Sequence, residues 1–361
     1  MRKLLLFAFL LASCRRLPPL DTGGVPADTG ETDTGASDTG ASDTGTAAAL
    51  LVEPANDRAY EPVAHDLLAG ANHRVRLVMF LVQDTWPVTE LVADLEAAAG
   101  SGIDVRVLLD EEGSGVQSVV DALNAAGVQA SLDSPRTTTH NKLLVVDDEV
   151  LVGSHNWTGS ALQYNHEDSV LVHSAAVADA YATYADALWA DSDADPEVPT
   201  VQEVGVVPVA RVQLVPELGD CVDSASARVD LAMYALAWYS AYPDGSVGRL
   251  LDAVEEAHER GVAVRVLLDQ SPWIADNRIN DAAATRLLDA GIEVRHTASS
   301  VTTHAKLLRC DDEVIVSDAN WSHSGLDLYN GTSFVVTDGS VSDAYAAYFD
   351  GLWAPAAAWD R

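Results

Sequence analysis

Three features of this 361-residue chain predict an α/β fold built twice, as two similar αβα-layered halves that each carry a largely parallel, mixed sheet. The first is a long-period repeat. "IDVRVLLDEE" near Val105 returns as "VAVRVLLDQS" near Val264, "AAGVQASLD" as "DAGIEVRHT", and "VADAYATYADALWA" as "VSDAYAAYFDGLWA". A period this long is too great for a solenoid and fits two copies of one domain. The second is alternation of short Val/Leu-rich runs with Ala-, Leu- and acid-containing helical stretches, the pattern of a buried sheet covered by helices. The third is the acidic, Pro-containing "DSDADPEVPT" between the copies, which reads as their join. The halves are expected to pack about a pseudo-twofold axis.

In chain order, residues 1–13 are expected to be a signal peptide. Two basic residues precede an apolar run from Leu4 to Leu11 that is too short to span a bilayer, and small residues follow. The ending Leu11-Ala12-Ser13-Cys14 looks like the lipobox of bacterial lipoproteins, which implies cleavage before Cys14 and lipidation of its thiol. The expected location is then outside the cytoplasm, lipid-anchored to the bacterial cell envelope at the outer membrane or cell surface. Residues 14–49, with five Asp-Thr-Gly triplets and little that is large and apolar, cannot offset their ordering entropy and read as a disordered stalk. Such a stalk spans about 30 Å on average. The repeated domains follow as residues 50–196 and 197–361. Beside Cys14 the chain has only Cys221 and Cys310, and their pairing is left open by the sequence.

The chemistry gathers around lysine. Only three Lys stand against eighteen Arg, and two of the three lie in "THNKLLVVDDEVLVGSHNWT" and "THAKLLRCDDEVIVSDANWS". In the first, His140 and Lys142 are two apart on a strand and so share a face, and Ser154 and Asn156 are two apart on the returning strand. His304, Lys306, Asp311 and Asn320 repeat the arrangement. An imidazole can serve as nucleophile or proton carrier near pH 7, an ammonium offers compact charge to phosphate oxygens, and an amide adds a donor. Trp157, Trp189, Trp321 and Trp353 are expected in the core. No first-shell spacing of His, Cys, Asp and Glu lies near either motif, so neither metal nor cofactor is expected.

These paired H-x-K-x-x-x-x-D motifs, each followed by a strand and Asn-Trp, resemble the phospholipase D superfamily across roughly residues 50 to 361. The resemblance implies a site between the halves and metal-independent attack on a phosphodiester. One His forms a phosphohistidine and the other protonates the leaving oxygen. Asn165-x-Glu167 resembles the family's Asn-x-Glu, whose acid orients a catalytic His. The expected catalytic set is His140, Lys142, Asn156, Glu167, His304, Lys306 and Asn320, supported by Ser154, Asp147 and Asp311, the last two equally readable as turn formers. In the second half Gly153-Ser154 becomes Ser317-Asp318, and Asn165-x-Glu167 is read as becoming Asn330-x-Thr332. On that reading Ser154 and Glu167 surround His140, Asp318 raises the pKa of His304, His140 attacks phosphorus and His304 is the acid.

Charge narrows the substrate. From Ala47 onward 17 Lys and Arg face 49 Asp and Glu, a net charge of −32. Nucleic-acid binding draws its affinity mainly from phosphate neutralisation, so a phospholipid is favoured over nucleic acid, unless the acidity is an adaptation to salt. Trp86, Trp238, Tyr239 and Trp273 are candidates to line a path for acyl chains. The expected reaction yields phosphatidic acid and a headgroup alcohol, in a monomer that is an internal pseudo-dimer touching the membrane through Cys14. The alternatives are a nuclease or other phosphodiesterase of the same chemistry, and a catalytically silent surface-binding module suggested by Ser317-Asp318.

Overall fold

A computed structural model describes residues 52–271, 278–298 and 300–360. The expected signal peptide, Cys14, the stalk and Trp273 lie outside the described residues.

The first half contains β1 (Val52–Pro54), α1 (Tyr60–Gly70), β2 (Arg74–Met79), α2 (Val88–Gly100), β3 (Asp104–Leu109), α3 (Val116–Ala125), β4 (Gln129–Leu132), β5 (Lys142–Val146), β6 (Glu149–Gly153), α4 (Gly159–Gln163), β7 (Ser169–His173) and α5 (Ala175–Ala190). The second repeats it with β8 (Val206–Ala210), α6 (Arg211–Ser224), β9 (Arg228–Met233), α7 (Ser246–Glu259), β10 (Ala263–Leu268), α8 (Asp281–Asp289), β11 (Glu293–His296), β12 (Lys306–Cys310), β13 (Glu313–Ser317), α9 (His323–Asp327), β14 (Thr332–Val336) and α10 (Gly339–Trp353), then adds β15 (Ala357–Ala358). The sheet orders are β1-β7-β6-β5-β2-β3-β4 and β15-β11-β10-β9-β12-β13-β14-β8. Each half is therefore one mixed sheet with helices, as the repeat predicts.

Parallel pairing is narrower than expected, confined to β2-β3-β4 and β9-β10-β11. The reason is the turn chemistry after each motif. Asp147 and Asp311 adopt φ of 49° and 50° and close tight hairpins that force β5-β6 and β12-β13 antiparallel.

One core is shared by both halves. Val145, Val150, Val152 and Val172 of one sheet pack with Val314, Val316, Phe334 and Val336 of the other, flanked by Tyr181, Tyr184, Tyr345 and Phe349 of α5 and α10. Tyr181 Oη donates to the Ser333 carbonyl (2.5 Å) and Tyr345 Oη to the Ser169 carbonyl (2.7 Å), so each long helix is bonded across to the other half's sheet. Trp157 and Trp321 are buried in the outer cores, and Trp353 and the half-buried Trp189 join the shared one. Cys221 of α6 is disulfide-bonded to Cys310 of β12, which resolves the pairing that the sequence leaves open. Among the described residues no helix is long and apolar enough to cross a membrane.

Candidate active site

The two motifs meet where the halves exchange backbone. His140 N–H donates to the Asn330 carbonyl (2.9 Å) and Asn330 N–H to Thr138 (2.9 Å), while His304 N–H donates to the His166 carbonyl (2.8 Å) and His166 N–H to Thr302 (2.8 Å). Each histidine is thus fixed by the loop that follows the other half's motif. Buried carboxylates at the ends of β3, β4 and β10 fix it a second time. Asp110 and Asp133 both accept from the Thr139 N–H (2.9 and 3.1 Å), and Asp269 accepts from the Thr303 N–H (2.7 Å). Burial, then the neighbouring Asp133, pushes the Asp110 carboxyl up to about 8. Burial likewise raises Asp269.

The side chains repeat the symmetry. The His140 ring lies 4.6 Å from Phe80 and the His304 ring 4.6 Å from Tyr234. Lys142 Nζ lies 4.9 Å from the Phe80 ring and Lys306 Nζ 5.0 Å from that of Tyr234. Lys142 Nζ donates to the His140 carbonyl (2.7 Å) and stands 3.4 and 3.5 Å from its ring nitrogens, and Lys306 Nζ donates to the His304 carbonyl. His140 lies just ahead of β5 instead of on it, yet its side chain shares Lys142's face as the spacing predicts. Both lysines are buried, which pulls Lys142 down to about 7 and Lys306 to about 8. Burial and then the two lysines lower His140 well below the ordinary histidine value. His304 falls to about 4 through burial, with Glu167 opposing the fall. Asn156 and Asn320 each keep a buried Oδ1 with no hydrogen-bond partner among the described residues.

Glu167 is in the site, but on the other histidine. Its Oε2 accepts from His304 Nδ1 (2.8 Å) and from Ser154 Oγ (2.5 Å), and its Oε1 from Asn165 Nδ2 (3.0 Å). Burial pushes this carboxyl up, and the charge and hydrogen bond of His304 outweigh it to hold the group at about 2. The expectation that Glu167 and Ser154 surround His140 is therefore corrected: the exchange of loops carries them to His304. The expectation that Asp318 raises His304 is corrected with it, because the foremost charge acting on Asp318 is Lys142, beside His140, and Asp318 is not among the foremost groups that shift His304.

The sequence register also shifts by one residue. Gly153 pairs with Ser169 and Ser317 with Ser333, so Ser154 stands opposite Asp168 and Asp318 opposite Thr332. The counterpart of Glu167 is then Gly331, not Thr332. No insertion is involved: His140 and His304, Ser154 and Asp318, and Glu167 and Gly331 each stand 164 residues apart, and it is the Tyr-Asn pair that comes one residue later, at 329–330 against 164–165.

Asp147 and Asp311 sit at the far ends of β5 and β12, on the order of 15 Å of strand from the lysines. Asp147 accepts from the N–H groups of Asn72, His73 and Arg74 (2.7, 2.9 and 2.9 Å), and Asp311 from those of Ser226, Ala227 and Arg228 (2.8, 2.9 and 2.7 Å). They tie the hairpin to the loop before β2 or β9, a structural role that replaces the supporting one expected. Among the described residues a grouping with metal-ligand distances is Glu61, His65 and Glu90, on and beside α1 and α2 instead of at the motifs. Of the aromatic candidates, Trp86 and Tyr239 are 63% and 60% exposed, while Trp238 is half-buried under the Arg286 guanidinium. Sequence reasoning missed Asp110 and Asp269, although "VRVLLD" repeats in both halves, and Asp168, whose Oδ1 accepts from the Lys306 N–H (2.8 Å).

A family model described as cardiolipin synthase, PLD-like domain, matches residues 65–189 and 218–353, one segment in each half. The chain is 30% identical over 142 residues to mitochondrial cardiolipin hydrolase of Xenopus laevis, covering 39% of this chain and 65% of that protein. It is 30% identical over 93 residues to phospholipase D of Rickettsia bellii (strain RML369-C), covering 25% and 46%. It thus spans less than two thirds of the length of these relatives. The crystal structure of phosphatidylserine synthase from Haemophilus influenzae Rd KW20 matches with a TM-score of 0.68 at 12% identity, over 86% of this chain and 87% of that one, a likeness of fold.

Proposed function

The chain belongs to the cardiolipin synthase, PLD-like domain family and is a phosphodiesterase of that kind, and from that premise we propose that it hydrolyses phospholipids to phosphatidic acid and the headgroup alcohol through a phosphohistidine. The observation that carries the reading is the convergence of two histidines and two buried lysines, one pair from each half, at a single place. Burial and the two lysines keep the His140 ring neutral, so one of its nitrogens holds a lone pair for phosphorus. The phosphorus–headgroup bond breaks as this nitrogen bonds to phosphorus, and the headgroup oxygen takes its proton from His304. Glu167 and the charge of the bound phosphate favour the His304 imidazolium over the neutral ring of the free site.

Of the two histidines His304 is the one with a carboxylate, and Glu167 stabilises its imidazolium, which supports His304 as the acid and leaves His140 as the nucleophile. Water then attacks the phosphohistidine, gives its proton to His304, and releases phosphatidate with His140 neutral again. Lys142 and Lys306 offer donors to the non-bridging oxygens, and the phosphate's charge favours their protonated forms. The net charge of −32 from Ala47 onward and the exposed Trp86 and Tyr239 favour a zwitterionic lipid over a polyanion. We also propose export, with Cys14 as a lipid anchor and the single chain active as a monomer.

Purified protein offered phosphatidylcholine, phosphatidylethanolamine, cardiolipin and plasmid DNA side by side in EDTA tests this. Release of choline or ethanolamine is the expected result, and faster cleavage of the plasmid than of any lipid would sink the lipid reading. Cys14→Ser is expected to abolish membrane partitioning in a bacterial host. Its retention on membranes after a high-salt wash would refute the anchor.

A further inference from the structure

The halves differ in where they keep a carboxylate. In one, Glu167, two residues before β7, accepts from the hydroxyl of Ser154 just past the end of β6 (2.5 Å). In the other, Gly331 stands at the equivalent of Glu167 and has no side chain. A Cβ built there would lie 2.5 Å from Asp318 Oδ1. The space that begins the Glu167 side chain in one half is therefore filled, in the other, by a carboxylate arriving from the neighbouring strand end.

The hydrogen bonding has been exchanged to match. Asp318 Oδ2 accepts from the Thr332 N–H (2.6 Å) and hydroxyl (3.0 Å), so in this half the carboxylate stands at the position of Ser154 and the hydroxyl at that of Asp168. Asp318 Oδ1 is left buried with no hydrogen-bond partner among the described residues. A buried carboxylate oxygen in this state is costly unless a charge faces it. The cation whose charge acts most strongly on Asp318 is Lys142.

We propose that Asp318 is the relocated counterpart of Glu167, a positioning residue whose carboxylate keeps Lys142 charged for phosphate. The proposal rests on the phosphodiesterase reading above and assigns a role to the residue that, from sequence, marked the second half as defective. The titratable groups facing Lys142 are His140, Asp318, Lys306, Glu167 and Asp110; burial lowers the ammonium and Asp318 is the foremost of the groups opposing that fall. Burial raises Asp318 in turn, and Lys142 is the foremost group opposing the rise. A serine here, as in the first half, would leave His140 and Lys142 with no carboxylate in the mirrored position.

Because only three lysines exist in the chain, ¹³Cε-lysine NMR reads Lys142 and Lys306 directly, with Lys306→Arg assigning the pair. In Asp318→Asn the Lys142 midpoint is expected to fall by roughly one pH unit, more than that of Lys306, and the alkaline limb of kcat/KM to move with it. An unchanged Lys142 midpoint would overturn the proposal. Relocation itself is tested by a cycle. Gly331→Glu alone is expected to lower the melting temperature, and Asp318→Ser to lower turnover. Asp318→Ser with Gly331→Glu, which copies the first half, is expected to recover both, with turnover roughly tenfold above Asp318→Ser alone. Additive losses in the double variant would overturn it. A wild type inactive on every phosphodiester would refute the function reading, and the NMR midpoint and the melts would still decide this one.

Discussion

Replacing Glu167 by Gln keeps the size of the side chain and removes the charge that lies 2.8 Å from His304 Nδ1. The residue is fully buried, so the interaction is not screened by solvent. Glu167 sits at about 2 against an ordinary 4.5, a displacement worth on the order of 3 kcal/mol of preference for the charged pair. Most of that preference is available only when His304 is protonated, the state that must exist as the leaving alcohol takes its proton. At about 1.4 kcal/mol per tenfold, the loss predicted for phosphatidylcholine turnover is on the order of 10²-fold. A nitrophenyl leaving group needs no proton, so its burst is expected to survive nearly intact while phosphoenzyme breakdown slows. The assay is stopped-flow nitrophenol release beside choline release, on wild type and Glu167→Gln. An equal loss on both leaving groups, or less than threefold on choline, would refute the reasoning.

Asp147→Ala and Asp311→Ala each remove an acceptor for three main-chain N–H groups and are expected to cost about 1–2 kcal/mol of stability. They should leave turnover below the melting temperature unchanged, and a tenfold loss of turnover with an unaltered melt would make these residues catalytic after all. The Cys221–Cys310 bond closes a separation of 89 residues, so the double Ala variant is expected to lose about 4 kcal/mol by loop entropy; denaturant melts with and without reductant check this, and no difference would refute it. Glu167 is lowered in the folded state, so its contribution to stability is full above about 4.5, its unfolded value, and is lost as pH falls toward 2. Acid titration of the melt should show a Glu167-dependent drop only in that window, and wild type and Glu167→Gln losing stability in parallel would refute the linkage.

What the sequence conveys about this site is local. His140 with Lys142, and His304 with Lys306, are legible because a spacing of two sets side chains on one face whatever the rest of the chain does. The duplicated sheet is legible for the same reason, since each strand and helix announces its own period. Glu167 is legible as an acid of the site but not as the partner of His304. That pairing depends on the exchange of loops between halves, in which the His166 carbonyl meets the His304 N–H, and neighbours in sequence are not neighbours there. A Tyr-Asn pair that stands one residue later in the second half is enough to align Thr332 with Glu167 when Gly331 is the true counterpart. Asp110 and Asp269 lie inside a quoted repeat, yet in a chain with 55 acidic residues an Asp after a strand carries little signal. The Cys221–Cys310 pairing needed the position of α6 against β12, which no local pattern encodes.

The central claim is that His140 carries the phosphoryl group while His304, held by Glu167, moves the proton. The measurement that meets it most directly is peptide mapping of the trapped phosphoenzyme in His304→Ala, after a burst on a nitrophenyl phosphodiester and quenching in base. The account predicts alkali-stable phosphate on the peptide containing His140, and neither burst nor phosphate in His140→Ala. Phosphate on the His304 peptide of the wild type, or a burst that survives in His140→Ala, would contradict it.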